Sequence, residues 1–153
     1  MLRSKQIIVV HHCLLNQNAR AKGLAKGRGA MEVVMEEIRK GKGIYQIPCP
    51  ELRYLGVDRN PMTKSQYDTP SFRKICRKIA EEVAEDLSRF LSSGYEIEAI
   101  YGVEGSPSCG VNTTHITVEG EEREVEGSGI LVEEMMKALE EKGIKIKYIG
   151  VKI

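Results

Sequence analysis

The feature that most constrains the fold is a run of four β-branched residues, Ile7 to Val10, near the start of the chain. Side chains of this kind favour strands, because branching at Cβ packs well on a pleated surface. A run without polar alternation is typical of a parallel strand that is covered on both faces. We therefore predict a buried strand over Gln6–His12, in a sheet that lies between helical layers.

Apolar stripes at helical spacing, with glycines after them, divide the rest of the chain into alternating elements. Three helices are predicted over Gly29–Lys40, Thr69–Ser92 and Ile130–Lys142, the last of them capped by Ser128. Three further strands are predicted over Ile44–Pro48, Tyr95–Val103 and Ile144–Val151, and a small hairpin over residues 115–126. The segments Cys13–Arg28 and Pro50–Asp68 have no clear periodicity and are predicted to be loops.

This alternation predicts an α/β protein with right-handed crossovers. We expect a three-layer αβα fold with a mainly parallel four-stranded sheet, of the Rossmann or flavodoxin type, plus the β-hairpin. A length of 153 residues corresponds to a single domain over residues 1–153.

Composition excludes several classes of partner. The net charge is +1, without the basic excess of a nucleic-acid binder. No apolar run approaches the roughly 20 residues that cross a bilayer, which predicts no membrane partner. The residues before the first strand contain no apolar leader segment, so we expect a cytoplasmic protein, either a monomer or a homodimer.

Three of the four cysteines lie where ligands bind in such folds. Cys13 and Cys49 each end a predicted strand, and Cys109 lies in the loop after the third strand. Because parallel strands place their carboxyl ends at one edge, the three thiols are expected to converge there. They offer a site for zinc or for an iron–sulfur cluster. A zinc site would take a fourth ligand from one of three histidines: His11, His12 or His115.

The fourth cysteine has a different sequence context. Cys76 lies on the apolar face of the long predicted helix, beside Ile75 and Ile79. We expect it to be a buried thiol without a chemical role.

Three short motifs carry a resemblance to a known family. His12-Cys13-Leu14-Leu15-Asn16, Cys49-Pro50-Glu51 and Gly105-Ser106-Pro107-Ser108-Cys109-Gly110 together resemble the thiouracil desulfidase (TudS) family. The chain is similar to a divergent, TudS-related desulfidase branch. The resemblance covers most of the chain in element order, and its specificity rests on these three segments.

The resemblance implies a cofactor, a reaction and the residues for both. A 4Fe-4S cluster would be held by Cys13, Cys49 and Cys109, with one iron open to the sulfur of a thiocarbonyl substrate and no net redox change. Glu51 and Ser106 would assist proton transfer. From the residues alone, a surface carboxylate is the less favoured alternative for Glu51. For Ser106, a role in shaping the turn before Pro107 is an equal alternative.

Two segments depart from the family pattern and bear on the substrate more than on the cluster. Asn16–Arg20 replaces a Gly-rich segment that contains Arg-Tyr-Asp, and Leu52–Asn60 replaces a segment with Gly-Gly-Leu and Pro-Arg. Asn16, Asn18 and Arg20 suit recognition of a polar heterocycle or an anion, or else belong to a solvated loop. Candidate substrate-binding residues are Asn16, His12 and Ser108.

The expected function is therefore an iron–sulfur-dependent desulfidase that releases hydrogen sulfide from a small thio-heterocycle. A non-catalytic zinc or iron–sulfur protein that senses or stores sulfur is the alternative. A nucleotide-binding domain lacks support, because no glycine-rich phosphate motif follows the first strand.

Overall fold

The structure is a computed structural model that describes residues 2–153, and a parallel sheet forms its centre. In chain order the elements are β1 (Gln6–His11), α1 (Glu32–Arg39), β2 (Gly43–Ile47), α2 (Pro50–Leu55), α3 (Lys64–Tyr67), α4 (Pro70–Ser92), β3 (Glu96–Val103), β4 (Thr113–Val118), β5 (Glu121–Glu126), α5 (Ile130–Glu141) and β6 (Tyr148–Val151). All pairings within the four-stranded sheet, ordered β2-β1-β3-β6, are parallel. The predicted three-layer α/β fold is confirmed.

The strand β1 occupies the interior of this sheet. Val9 pairs with Tyr45 of β2 on one side and with Ile100 of β3 on the other. Ile8, Val9 and Val10 are completely buried, as a run of unbroken β-branched residues predicts. Because β1, β2 and β3 are parallel neighbours, their carboxyl ends lie at one edge of the sheet.

The helix α4 is the longest element, with 23 residues. Thr69 caps it by accepting a hydrogen bond from the backbone N–H of Phe72 at 3.2 Å, and Pro70 occupies its first turn. Its apolar stripe packs against α5 and the sheet. In the part of the chain that the structure describes, no helix has the length and apolar character that crossing a membrane requires.

The hairpin is confirmed as the antiparallel pair β4 and β5. Gly120 in its turn has a φ of 80°, a left-handed conformation that glycine adopts without steric cost. The hydroxyl groups of Thr63 and Thr117 lie 2.7 Å apart and join the hairpin to the segment before α3.

Three predictions about local structure are wrong. The segment Pro50–Asp68 is no continuous loop, because it holds α2 and α3, which at six and four residues are too short to show a helical period. The cap of α5 is Gly129 and not Ser128, whose hydroxyl donates to the carbonyl of Val111 at 2.8 Å. The final strand begins only at Tyr148.

Candidate active site

A cavity of about 450 Å³ lies at the carboxyl edge of the sheet, and three thiols line it. Cys13 follows β1 in a 3-10 turn, Cys49 precedes α2 after β2, and Cys109 lies in the loop after β3. The structure thus brings together the three cysteines that the strand ends single out, and all of them are free thiols.

Local backbone structure fixes two of these thiols. The Sγ of Cys49 accepts the N–H of Leu52 at 3.4 Å, in the position of a helix cap. The Oγ of Ser106 accepts the N–H groups of Ser108 at 3.3 Å and Cys109 at 3.0 Å, which closes the turn that carries Cys109. Gly110 is required next to it, because a Cβ there would lie 2.1 Å from the carbonyl oxygen of Thr113.

The surroundings of the thiols favour their neutral forms as long as no cation is bound. Burial raises the pKa of Cys13 to about 11, and the charge of Arg20 acts in the opposite direction. Burial, together with repulsion from Cys13 and Cys49, raises the pKa of Cys109 well above its ordinary value. A bound cation would relieve the repulsion between the thiolates.

The three thiols of the cavity are soft donors for a metal. Thiolates that share one zinc ion lie within about 4.6 Å of one another, because each binds at about 2.3 Å. Among residues 2–153, no group of three or more His, Cys, Asp or Glu side chains is placed to hold one metal ion. Three thiols form a donor set that both zinc sites and iron–sulfur clusters use.

The histidines have other partners. His11 is completely buried and its Nε2 lies 2.7 Å from the hydroxyl of Tyr148, while burial lowers the pKa of His11 to about 3. His115 lines the cavity, but its Nδ1 lies 2.5 Å from the carbonyl oxygen of Gly105.

Glu51 lies in the first turn of α2 and lines the cavity with only 8% of its surface exposed. The alternative that it is a surface carboxylate is therefore wrong. Its Oε2 accepts a hydrogen bond from the hydroxyl of Ser108 at 2.6 Å, and its Oε1 accepts one from Nε of Arg59 at 3.3 Å. Both oxygens are held, so the direction of the carboxylate is fixed.

Arg59 is a candidate site residue that sequence reasoning missed. It is 7% exposed and lines the cavity beside Glu51. Its other two nitrogens donate to the carbonyl oxygens of Gly56 at 3.1 Å and Ala19 at 2.7 Å. Arg59 therefore ties Glu51 to the loop that follows Cys13. Its sequence neighbourhood, which departs from the family pattern, gave no signal of this contact.

The three candidate substrate-binding residues are not among the residues that line the cavity. Asn16 caps a 3-10 turn by accepting the N–H of Asn18, and its amide nitrogen lies 3.4 Å from Nε2 of His12. Ser108 is completely buried and its hydroxyl is directed to Glu51. The polar residues that do line the cavity are Arg20, Glu51, Arg59, Ser106, His115 and Glu122.

Fold and cavity together define a three-layer α/β protein with a thiol-lined site at the carboxyl edge of its sheet. A sequence model of the family described as 2-thiouracil desulfurase matches residues 8–146. The chain therefore belongs to the 2-thiouracil desulfurase family, and the resemblance stated from its motifs is confirmed.

Two similar proteins add to this result. An uncharacterized protein of Methanocaldococcus jannaschii is 37% identical over 149 residues, which cover 97% of this chain and 86% of the relative. A solved structure described as the 4Fe-4S-dependent thiouracil desulfidase TudS is similar with a TM-score of 0.55 and 24% identity. That similarity covers 94% of this chain and 90% of the other, and it supports the fold.

Proposed function

We propose that this protein is a 4Fe-4S-dependent desulfidase that hydrolyses the C=S bond of a thiouracil-like compound and releases hydrogen sulfide. The observation that carries the proposal is the convergence of three thiols, each from a different strand end, with a buried carboxylate in one cavity. Membership of the 2-thiouracil desulfurase family and the name of the structural neighbour support it.

Cys13, Cys49 and Cys109 are the residues that would hold the cluster. When bound, such a cluster supplies a Lewis-acidic iron that prefers the soft sulfur of a thiocarbonyl to the oxygen of water. The reaction consumes one water: a C–O bond forms, the C–S bond breaks, and both protons of the water leave with the sulfur as hydrogen sulfide. No electron is gained or lost.

The role we assign to Glu51 is proton transfer. Its carboxylate takes a proton from the attacking water and returns it to the departing sulfur. The hydrogen bonds from Ser108 and Arg59 hold both oxygens and fix the direction in which the carboxylate faces the cavity. A base that is already oriented needs no rearrangement when the water reacts.

The role we assign to Ser106 is hydrogen-bond donation to the substrate, which is a smaller role than that of Glu51. Its Oγ accepts two backbone N–H groups, so the hydroxyl hydrogen remains available to a ligand in the cavity that Ser106 lines. Ser106 can therefore donate to a substrate atom while it also shapes the turn of Cys109.

Anaerobic reconstitution with iron and sulfide, followed by a sulfide-release assay with 2-thiouracil, tests the proposal. We expect about four irons per chain and stoichiometric formation of uracil and sulfide without added reductant. A sample treated with zinc alone is the control and should release no sulfide. A fully loaded protein that turns over no thiocarbonyl compound would favour the non-catalytic alternative of sulfur sensing or storage.

A further inference from the structure

The side chain of Tyr67, the last residue of α3, is completely buried, and its hydroxyl has no hydrogen-bond partner among residues 2–153. Tyr67 is not among the residues that line the cavity, so a ligand cannot supply the missing partner. Buried hydroxyl groups are nearly always paired. The group that this hydroxyl serves must therefore belong to the protein itself.

The position of the Tyr67 side chain is fixed from two directions. Thr63 and Gln66 form a complete capping box at the start of α3, in which Oε1 of Gln66 accepts the N–H of Thr63 at 2.8 Å. The Tyr67 ring packs on the buried ring of Phe72, with the ring centroids 4.8 Å apart. The hydroxyl is therefore held inside the protein.

Two charged residues of the site act on the Tyr67 hydroxyl. Burial raises the pKa of Tyr67, the negative charge of Glu51 raises this pKa further, and the positive charge of Arg59 acts in the opposite direction. Both side chains are within reach of a hydrogen bond with the hydroxyl, although the distances and angles complete none. Since a guanidinium group has only donors, Glu51 is the one of the two that can accept the hydroxyl hydrogen.

The carboxylate of Glu51 has room for a third donor. Its Oε2 accepts from Ser108 and its Oε1 from Arg59, whereas a carboxylate offers about four acceptor positions. Hydrogen bonds at reacting groups are often long or poorly aligned in a ligand-free structure, and they tighten when the site is filled. The unpaired hydroxyl beside Glu51 fits this description.

We propose that Tyr67 is a positioning residue whose hydroxyl donates a hydrogen bond to Glu51 once the cavity is occupied. The inference deepens the proposed function and rests on it, because Tyr67 would act on the reaction only through the carboxylate. In the iron-free protein the unpaired hydroxyl costs free energy. Retention of such a group is what a trade-off between stability and activity predicts.

Tyr54 offers a matched control for Tyr67→Phe, because its ring packs on the same Phe72 with centroids 5.2 Å apart. Its hydroxyl lies 3.1 Å from that of Ser71, away from Glu51. Tyr54→Phe thus removes the same atom from the other side of one aromatic cluster. In the iron-free protein, Tyr67→Phe should keep or raise the midpoint of thermal unfolding, because it removes a buried hydroxyl that has no partner.

Kinetics at equal iron loading test the effect on the reaction. In the reconstituted protein, Tyr67→Phe should lower kcat for sulfide release from 2-thiouracil about 10-fold, the range of one hydrogen bond to a charged group. KM should stay nearly unchanged, since Tyr67 does not line the cavity. Tyr54→Phe should change neither constant.

Infrared spectroscopy tests the contact without relying on turnover. The difference spectrum between each protein and its Glu51→Gln counterpart isolates the carboxylate bands of Glu51. In the reconstituted protein with 2-thiouracil added, Tyr67→Phe should shift these bands, and Tyr54→Phe should leave them in place.

The outcomes separate this inference from the proposed function. Shifted bands in Tyr67→Phe, with a parent that releases no sulfide, contradict the desulfidase proposal and support the contact between Tyr67 and Glu51. Unshifted bands, or an unchanged kcat in an active protein, overturn the role of Tyr67. A lower unfolding midpoint of the iron-free variant, or loss of iron from it, also overturns that role, since the hydroxyl would then serve the fold or the cluster.

Discussion

The four cysteines occupy two kinds of environment, although burial raises the pKa of all of them. Cys76 lies on α4 in the apolar core, packed with residues such as Phe72 and Ile79. The three cavity thiols lie on loops after strands and line one cavity with Glu51. Burial alone therefore does not identify a site. What distinguishes the site is the convergence of thiols from separate strand ends in one cavity, which Cys76 does not line.

The largest expected effect comes from substituting the cysteines of the two environments one at a time. Cys13→Ser, Cys49→Ser and Cys109→Ser should each reduce iron from about four per chain to nearly none, and sulfide release should be lost with it. Cys76→Ala should retain full iron and lower the free energy of unfolding by about 1 kcal/mol. Iron analysis and denaturant unfolding check this. Loss of iron in Cys76→Ala, or its retention in a cavity variant, would remove the distinction between the environments.

Removal of the carboxylate tests the chemistry without removing the cluster. Glu51→Gln keeps the size of the side chain and should keep the iron, whereas loss of proton transfer should slow sulfide release by about 10²- to 10⁴-fold. Glu122→Gln is the matched control, since Glu122 lines the same cavity from the hairpin with an exposed carboxylate. Its rate should stay close to that of the parent. An equal loss in both variants would argue against a specific role for Glu51.

Arg59 should act through Glu51 as a positioning residue. Arg59→Met leaves one oxygen of Glu51 and two carbonyl oxygens without their donor. We expect kcat for sulfide release to fall about 10- to 100-fold through misplacement of the carboxylate, with a smaller change in KM. The exposed Arg53 on α2 provides a control, and Arg53→Met should change neither constant. A change confined to KM would assign Arg59 to substrate binding instead.

Alkaline pH should lower the free energy of unfolding of the iron-free protein. Because burial raises the pKa of Cys13 from an ordinary 9.0 to about 11, the folded state keeps a proton that the unfolded state loses between these values. The free energy of unfolding should therefore fall as the pH rises from 9 to 11, by at most about 3 kcal/mol for this thiol. Cys13→Ser should show a shallower decline in denaturant titrations of iron-free samples. An identical decline in both would show that Cys13 is not the titrating group.

The smallest effect is expected at Ser106. Ser106→Ala leaves two backbone N–H groups in the Cys109 turn without their acceptor and should lower the free energy of unfolding by about 1 kcal/mol. Sulfide release should fall less than in Ser108→Ala, because the Ser108 hydroxyl contacts Glu51 directly. Assays of both variants at equal iron loading check the order. A reversed order would make Ser106 the more important donor.

Sequence reasoning succeeded where the signal is local and repeated. The four β-branched residues of β1 and the long stripe of α4 each repeat one preference several times. It failed for α2 and α3, which are too short to show a period, and at the start of α5, where Gly129 takes the cap and Ser128 bonds elsewhere.

In the candidate site, too, some features have a sequence signal and others have none. The positions of Cys13, Cys49 and Cys109 at strand ends predicted their convergence, because the topology of a parallel sheet fixes which ends meet. The contact between Glu51 and Ser108 joins residues 57 positions apart, and Arg59 reaches Ala19 across 40 positions. Such pairings depend on how loops pack against each other, and no periodicity in the sequence encodes them.

The central claim is that three thiols hold a four-iron cluster with one iron open to the substrate. Mössbauer spectroscopy of protein reconstituted with ⁵⁷Fe tests it most directly, before and after addition of 2-thiouracil. We predict four irons per chain. One iron site should be distinct from the other three, and it should be the only site whose signal changes when 2-thiouracil is added. Four equivalent irons that do not respond to 2-thiouracil, or a single bound metal ion per chain, would contradict the claim.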